Sequence, residues 1–177
     1  MRKWIGMILS ILLLSACSSN IELQKQTFTI ELGSDVFANP SLYVKDAQRY
    51  DLSDAKIMAV SSGIKKQDNR FTNANKQYMV PGEYDFVFVK GSTRIPFKIK
   101  IKDTKPPITN KNPETINISM GEAIRWQNFF DASDLSGVSY ESEPVLNTSE
   151  TGSYQVTVTI SDRFGNAVEK NVTVNIG

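Results

Sequence analysis

The chain has 177 residues with 20 Lys+Arg against 19 Asp+Glu, a formal net charge of +1. A balance this even creates no strong field to draw in nucleic acid. Histidine is absent and cysteine occurs once, which excludes Ser-His-Asp and Cys-His catalysis, HExxH zinc sites and a disulfide within the chain.

The N-terminus has the layout of an export signal. Met1-Arg2-Lys3 is positively charged, Trp4 to Leu14 is almost wholly apolar, and Ser15-Ala16 are small. The apolar run is eleven residues long, counted from 4 to 14. A spanning helix needs about 20, because each residue rises only about 1.5 Å. The run is therefore expected to be a signal segment at 1–16. Removing Arg2 and Lys3 with it leaves 18 basic against 19 acidic residues, a net −1.

The four residues Leu14-Ser15-Ala16-Cys17, placed behind these flanks, resemble a bacterial lipobox. The resemblance implies that Cys17 carries a diacylglycerol on its thiol and becomes the first residue of the mature chain. The often acylated new amine would add to the anchor, and two acyl chains hold a protein more firmly than one. The implied location is the extracytoplasmic face of the cell membrane. Residues 17–26 then form a short polar tether.

From Thr27 the pattern has period two. Phe28, Ile30 and Leu32 alternate with Thr27, Thr29 and Glu31, and Gly33-Ser34-Asp35 ends the run, which predicts a half-buried strand. Asp46 to Asp54 contains cap residues for a helical turn, and Ala55 to Val60 is a second strand. Ser61 to Lys76 is polar and turn-rich, so it is expected to be a long exposed loop or wide hairpin. Tyr84 to Val89 predicts a central strand, with Val87 and Val89 apolar on its second face. In Arg94 to Lys102, Phe97, Ile99 and Ile101 face in while Lys98, Lys100 and Lys102 face out. Pro96 lacks an N–H and should lie at an edge or bulge.

Asp103-Thr104-Lys105-Pro106-Pro107 breaks the pattern, because consecutive prolines cannot continue a ladder. The expected organisation is a first module at 27–102, a linker at 103–107 and a second module at 108–177. The second repeats the first in outline. Ile116, Ile118 and Met120 share a face, ended by Gly121. Thr151-Gly152-Ser153-Tyr154 echoes Pro81-Gly82-Glu83-Tyr84. Val156, Val158 and Ile160 face in, Ser161 to Asn166 turns the chain, and Val168, Val172, Val174 and Ile176 complete the sheet. Without any sustained helical period, the fold class is all-β: two tandem immunoglobulin-like β-sandwiches, each shorter than the roughly 100 residues usual for that fold.

The second module resembles the bacterial immunoglobulin-like repeats of surface proteins, including the type named after an insecticidal crystal toxin. The resemblance rests on Asp103 to Ile108 at entry, Ala132-Ser133-Asp134-Leu135-Ser136-Gly137, Thr151 to Tyr154, and Ser161 to Ala167. The first module shares only the Pro-Gly-Glu-Tyr entry and its terminal strand. The resemblance implies a non-catalytic spacer, adhesion or ligand-binding module.

Candidate sites follow from residue type. Trp126, Phe129 and Phe130 could stack on a sugar or partner, although core filling is the expected role of aromatics in a small domain. Asp131, Asp134 and Asp162 offer the oxygens that Ca²⁺ takes. They lack the dense ladder of a dedicated calcium loop, so turn capping is expected and no metal, cofactor or catalytic residue is assigned. Lys65, Lys66, Arg70 and Lys76 read as a solvated basic loop rather than a polyanion site. Ser62 to Lys65 has Ser-x-x-Lys spacing, but Gly63 speaks against the helix such a pair needs. The expected partners are the membrane, through lipid on Cys17, and a surface protein or glycan, with no nucleic acid. An accessory subunit of an envelope complex, or a histidine-free envelope hydrolase, are the alternatives.

Overall fold

The structure, a computed structural model, describes residues 20–177. The signal segment and Cys17 lie outside the described residues. The described residues are all-β, built as strands stacked in facing sheets, with very little helix among them.

The first stack contains β1 (Thr27–Glu31), β2 (Val36–Phe37), β3 (Lys56–Ala59), β4 (Ile64–Gln67), β5 (Arg70–Asn73), β6 (Gly82–Lys90) and β7 (Thr93–Lys102). One sheet has the order β1-β7-β6-β3 and faces a smaller sheet ordered β2-β5-β4. Between them lie Val36, Val44, Ile57, Phe71, Phe86, Phe88, Phe97, Ile99 and Ile101, all buried. Aromatic rings carry this core across the gap. Phe71 of β5 meets Phe86 of β6 edge-on with centroids 5.0 Å apart, and Phe86 stacks on Phe97 at 5.7 Å. Tyr43 closes one end, its hydroxyl donating to the Phe37 carbonyl at 2.6 Å, and burial pushes its pKa up to about 12.

The second stack contains β8 (Ile108–Thr109), β9 (Thr115–Ile118), the one-turn helix α1 (Trp126–Phe130), β10 (Ala132–Ser133), β11 (Ser139–Glu143), β12 (Gly152–Ser161) and β13 (Ala167–Ile176). Its main sheet runs β11-β12-β13-β9, with the pair β10-β8 as the small facing layer. Ile116, Ile118, Phe130, Val156, Val158, Ile160, Val172, Val174 and Ile176 form its buried core.

Both main sheets are wired alike. The last two strands form an antiparallel hairpin, and the first strand joins the last in parallel: Thr27 opposite Lys98, and Thr115 opposite Thr173. A parallel neighbour needs a long crossover, and here most of each stack supplies it. This geometry accounts for Pro96. Lys98 N–H donates toward the β1 side, to the Gln26 carbonyl at 2.8 Å. The nitrogen of Pro96, two residues earlier, faces the same side. β1 pairing only starts at Lys98, so the missing N–H falls where no partner strand stands.

Several elements differ from the sequence expectation. In Ser61 to Lys76 the hairpin alternative is the one that forms, β4 and β5 pairing through Asp68, which holds a left-handed φ of 52°. Its Phe71 joins the core while Thr72, on the opposite face, is also buried, so this polar stretch supplies one core ring. The helical turn of 46–54 is a 3₁₀ turn at Ala47–Arg49, while Asp51 accepts from Ser53 N–H further on. β9 stops at Ile118, and Met120 is 59% exposed instead of joining the inward face. Met120 N–H bonds to the Gly177 carbonyl, and Gly121 takes φ of 80° as the chain turns off the sheet.

Candidate functional site

Three carboxylates gather at one end of the second stack. Asp103 follows β7, Asp134 follows β10, and Asp162 follows β12. One oxygen from each lies within 4.8 Å of the others. Each is placed by its own turn. Asp162 is only 6% exposed. Its Oδ1 accepts from Phe164 N–H at 2.7 Å and Asn166 N–H at 2.9 Å, and its Oδ2 accepts from Asn166 Nδ2 at 2.7 Å. Burial by itself would raise the Asp162 pKa, but these donors outweigh it and hold the group below the usual carboxylate value. Gly165, at φ of 86°, supplies the left-handed residue this tight turn requires. Asp134 Oδ1 accepts from both the N–H and the hydroxyl of Ser136 at 2.7 Å. Asp103 is anchored through its carbonyl, which accepts from Asn166 Nδ2 at 3.2 Å. Its Oδ2 is buried and has no hydrogen-bond partner.

Beside this cluster runs a groove of about 570 Å³ between the two stacks, whose walls include Glu31, Lys105, Pro106, Ile108 and Leu135. Glu31 ties its floor. Its carboxylate accepts from the Thr104 hydroxyl at 2.7 Å and the Thr104 N–H at 2.9 Å, which lower its pKa. Ile108 is 70% exposed and Leu135 53% exposed. Gly33 stands against Leu135. It sits at φ of 82°, and a Cβ there would come 2.8 Å from Leu135 Cδ1. Gly33→Ala is therefore expected to cost about 1–2 kcal/mol, from left-handed strain and the contact together. The loss should show in denaturant unfolding. Leu135→Ala should return only the contact part, because the φ strain remains.

The sequence-proposed residues are distributed as follows. Asp134 and Asp162 come together, but Asp131 does not join them. It ends α1 with a left-handed φ of 47°, and its carbonyl accepts from Asn110 Nδ2 at 2.9 Å. Asp103 takes its place, a residue read from sequence as the start of the linker and of the resemblance and not as a ligand. Phe130 is fully buried at the centre of the second core, and Trp126 and Phe129 are half-buried against it. Trp126 and Phe130 have ring centroids 6.3 Å apart. In the basic hairpin, Lys65 and Lys66 are exposed, Arg70 pairs with Asp35 at 3.0 Å, and Lys76 lies 6.0 Å from the Tyr78 ring centroid.

No family model and no curated protein matches the chain. Among solved structures, human mucin-like protocadherin EC1-2 is similar at 10% identity and a TM-score of 0.33, over 89% of this chain and 98% of that one. The insect immune protein hemolin is similar at 10% identity and a TM-score of 0.39, over 92% of this chain and 48% of that one. An endo-fucoidan hydrolase from glycoside hydrolase family 107 is similar at 10% identity and a TM-score of 0.29, over 89% of this chain and 28% of that one. Likenesses this distant carry nothing about what the chain binds.

Proposed function

We propose that this is an exported, lipid-anchored protein of the extracytoplasmic membrane face, whose two immunoglobulin-like modules, 27–102 and 108–177, act in binding, adhesion or spacing and not by catalysis. The observation that carries the reading is Cys17, the single cysteine of the chain, standing directly after Leu14-Ser15-Ala16 behind an apolar run too short to span. Of the expected tether 17–26, Glu22 to Gln24 is instead tied to the first stack, since Gln24 N–H donates to the Tyr43 carbonyl and Lys45 N–H to the Glu22 carbonyl, each at 2.8 Å, so the first module lies close to the bilayer.

A binding role is supported by what catalysis would require. With no histidine, acid–base work would fall to carboxylates, Lys or Tyr, and a carboxylic general acid needs its pKa raised toward the working pH. Asp162 is held in the opposite direction. Edge strands β3 and β11 and the exposed side chains of Val60, Ile108 and Val145 offer surface for a protein or glycan partner instead.

Mass spectrometry of the N-terminal peptide should find a diacylglyceryl group on Cys17 and no residues before it. Cys17→Ser should move the protein from the membrane fraction to the soluble extracytoplasmic fraction. An unmodified Cys17, cleavage elsewhere or unchanged membrane retention of the variant would overturn the anchor. Crosslinked pull-down from intact cells should then recover a defined surface protein or glycan, and recovery of none would favour a pure spacer.

A further inference from the structure

We propose that Asp103, Asp134 and Asp162 form a divalent-cation site of calcium size, which clamps the exit of the first stack onto two loops of the second. The claim goes beyond the reading above and does not depend on the anchor or on any partner.

The first observation is uncompensated charge. Three carboxylate oxygens lie within 4.8 Å of one another. Among the described residues none of the three makes an ion pair, although Lys105 lines the adjoining groove. Like charges at this spacing repel, and the repulsion is stronger where one member, Asp162, is almost fully buried. The second and independent observation is Asp103 Oδ2, a buried carboxylate oxygen with no hydrogen-bond donor. A buried polar atom left unpaired is costly, and native folds seldom tolerate one without an ion or water to meet it. Its carboxylate belongs to the cluster, where a cation would satisfy it.

Spare ligand capacity remains on the other two. Asp134 uses Oδ1 for both Ser136 donors, leaving Oδ2 without a protein donor. Asp162 Oδ2 has one donor, Asn166 Nδ2, so a lone pair stays open.

The donor set favours one ion. Oxygen ligands stand about 2.3–2.6 Å from Ca²⁺ and about 2.0–2.1 Å from Mg²⁺, so opposed ligands are roughly 4.6–5.2 Å apart around calcium and about 4.0–4.2 Å around magnesium. The three oxygens lie within 4.8 Å of one another, which admits either ion, and an all-oxygen set drawn from three separate turns suits the more adaptable calcium shell over the strict octahedron of magnesium. Three side chains leave room for carbonyls and water to complete the shell of about 6–8 ligands.

The consequence is mechanical. Asp103 is the first residue after β7, while Asp134 and Asp162 belong to loops of the second stack. An ion held by all three fixes the linker at its first residue, beside the Glu31–Thr104 and Gly33–Leu135 contacts.

The test is a calorimetric CaCl₂ titration of the full, detergent-solubilised chain after EDTA treatment and dialysis. One saturable site is expected, with a dissociation constant on the order of 10⁻⁴–10⁻³ M, as for extracellular modules. Melting temperature should rise with added Ca²⁺. Asp103→Asn and Asp134→Asn should each weaken binding at least about tenfold. Asp134→Asn keeps the oxygen that accepts from Ser136, so it guards against a folding failure in the first variant. Asp131→Asn should bind like the parent. No heat at about 10 mM CaCl₂, undiminished binding in both variants, loss of binding in Asp131→Asn, or Mg²⁺ binding as tightly as Ca²⁺ would each overturn the proposal.

Discussion

Phe130→Ala is expected to remove about 3–5 kcal/mol from the second stack, the usual cost of truncating a fully buried phenylalanine. Phe130 has no exposed surface, and it is the one fully buried aromatic in that core, where every other fully buried member is Ile or Val. A cavity opened there has few neighbours able to collapse into it. Small domains hold only about 5–15 kcal/mol in all, so the loss takes a large fraction of what is available. It should lower the melting temperature of the second stack by well over 10 °C, at about 4–8 °C per kcal/mol for a unit of this size. Calorimetry would follow it. The first core is separate and ring-rich, through Phe28, Phe71, Phe86 and Phe97, so its transition should stay in place. Phe88→Ala, in a fully buried position of β6, should move the other transition. If either variant shifts both, the two stacks unfold as one cooperative unit.

The same pair of experiments separates the two roles open to the aromatic cluster. Trp126 and Phe129 are half-buried. If they meet a partner, their alanine variants should lose binding while remaining folded. Phe130 offers no face, so its variant should lose structure first.

What the sequence made legible follows from period. Strands with one wet face announce themselves by alternation: Phe28 and Ile30 in β1, Phe97 through Ile101 in β7, and Val156 through Ile160 in β12. The double face of β6 was also visible, since Val87 is apolar and buried opposite Phe86 and Phe88. The β4–β5 hairpin was harder to see because it lies over one side of the core and turns most of its residues to water. A single Phe71 among Lys66, Asp68 and Arg70 gives no period to count. Parallel pairing of first and last strands leaves no local trace, because partners such as Thr27 and Lys98 are joined only through the whole stack. The carboxylate cluster is hidden for the same reason. Asp134 and Asp162 each sit in a recognisable turn, but Asp103 looks like linker until the strands bring its carboxylate beside them. Asp131 was the natural third choice by sequence position, and the left-handed turn that ends α1 takes it away.

Asp162→Ala should cost roughly 2–4 kcal/mol, the second large effect. The substitution strips the acceptor from Phe164 N–H, Asn166 N–H and Asn166 Nδ2 in a nearly buried turn. Hydrogen bonds to a charged acceptor contribute about 1.5–3 kcal/mol each, and three that share one residue add to less than their sum. Asp162→Asn should cost less, because one amide oxygen can still serve the two backbone donors, while its NH₂ opposes Asn166 Nδ2. The pH dependence gives the charge its own signature. The folded pKa of Asp162 lies below its ordinary value of 3.8, so the unfolded chain takes up the proton first. The stabilisation is then complete above the unfolded value and is lost as pH falls through the folded one. Parent and Asp162→Asn stabilities should therefore differ most at neutral pH and converge in acid, when both are unfolded in denaturant across that range. A difference that stays constant from neutral pH into acid would show that Asp162 holds its turn by shape alone, without its charge.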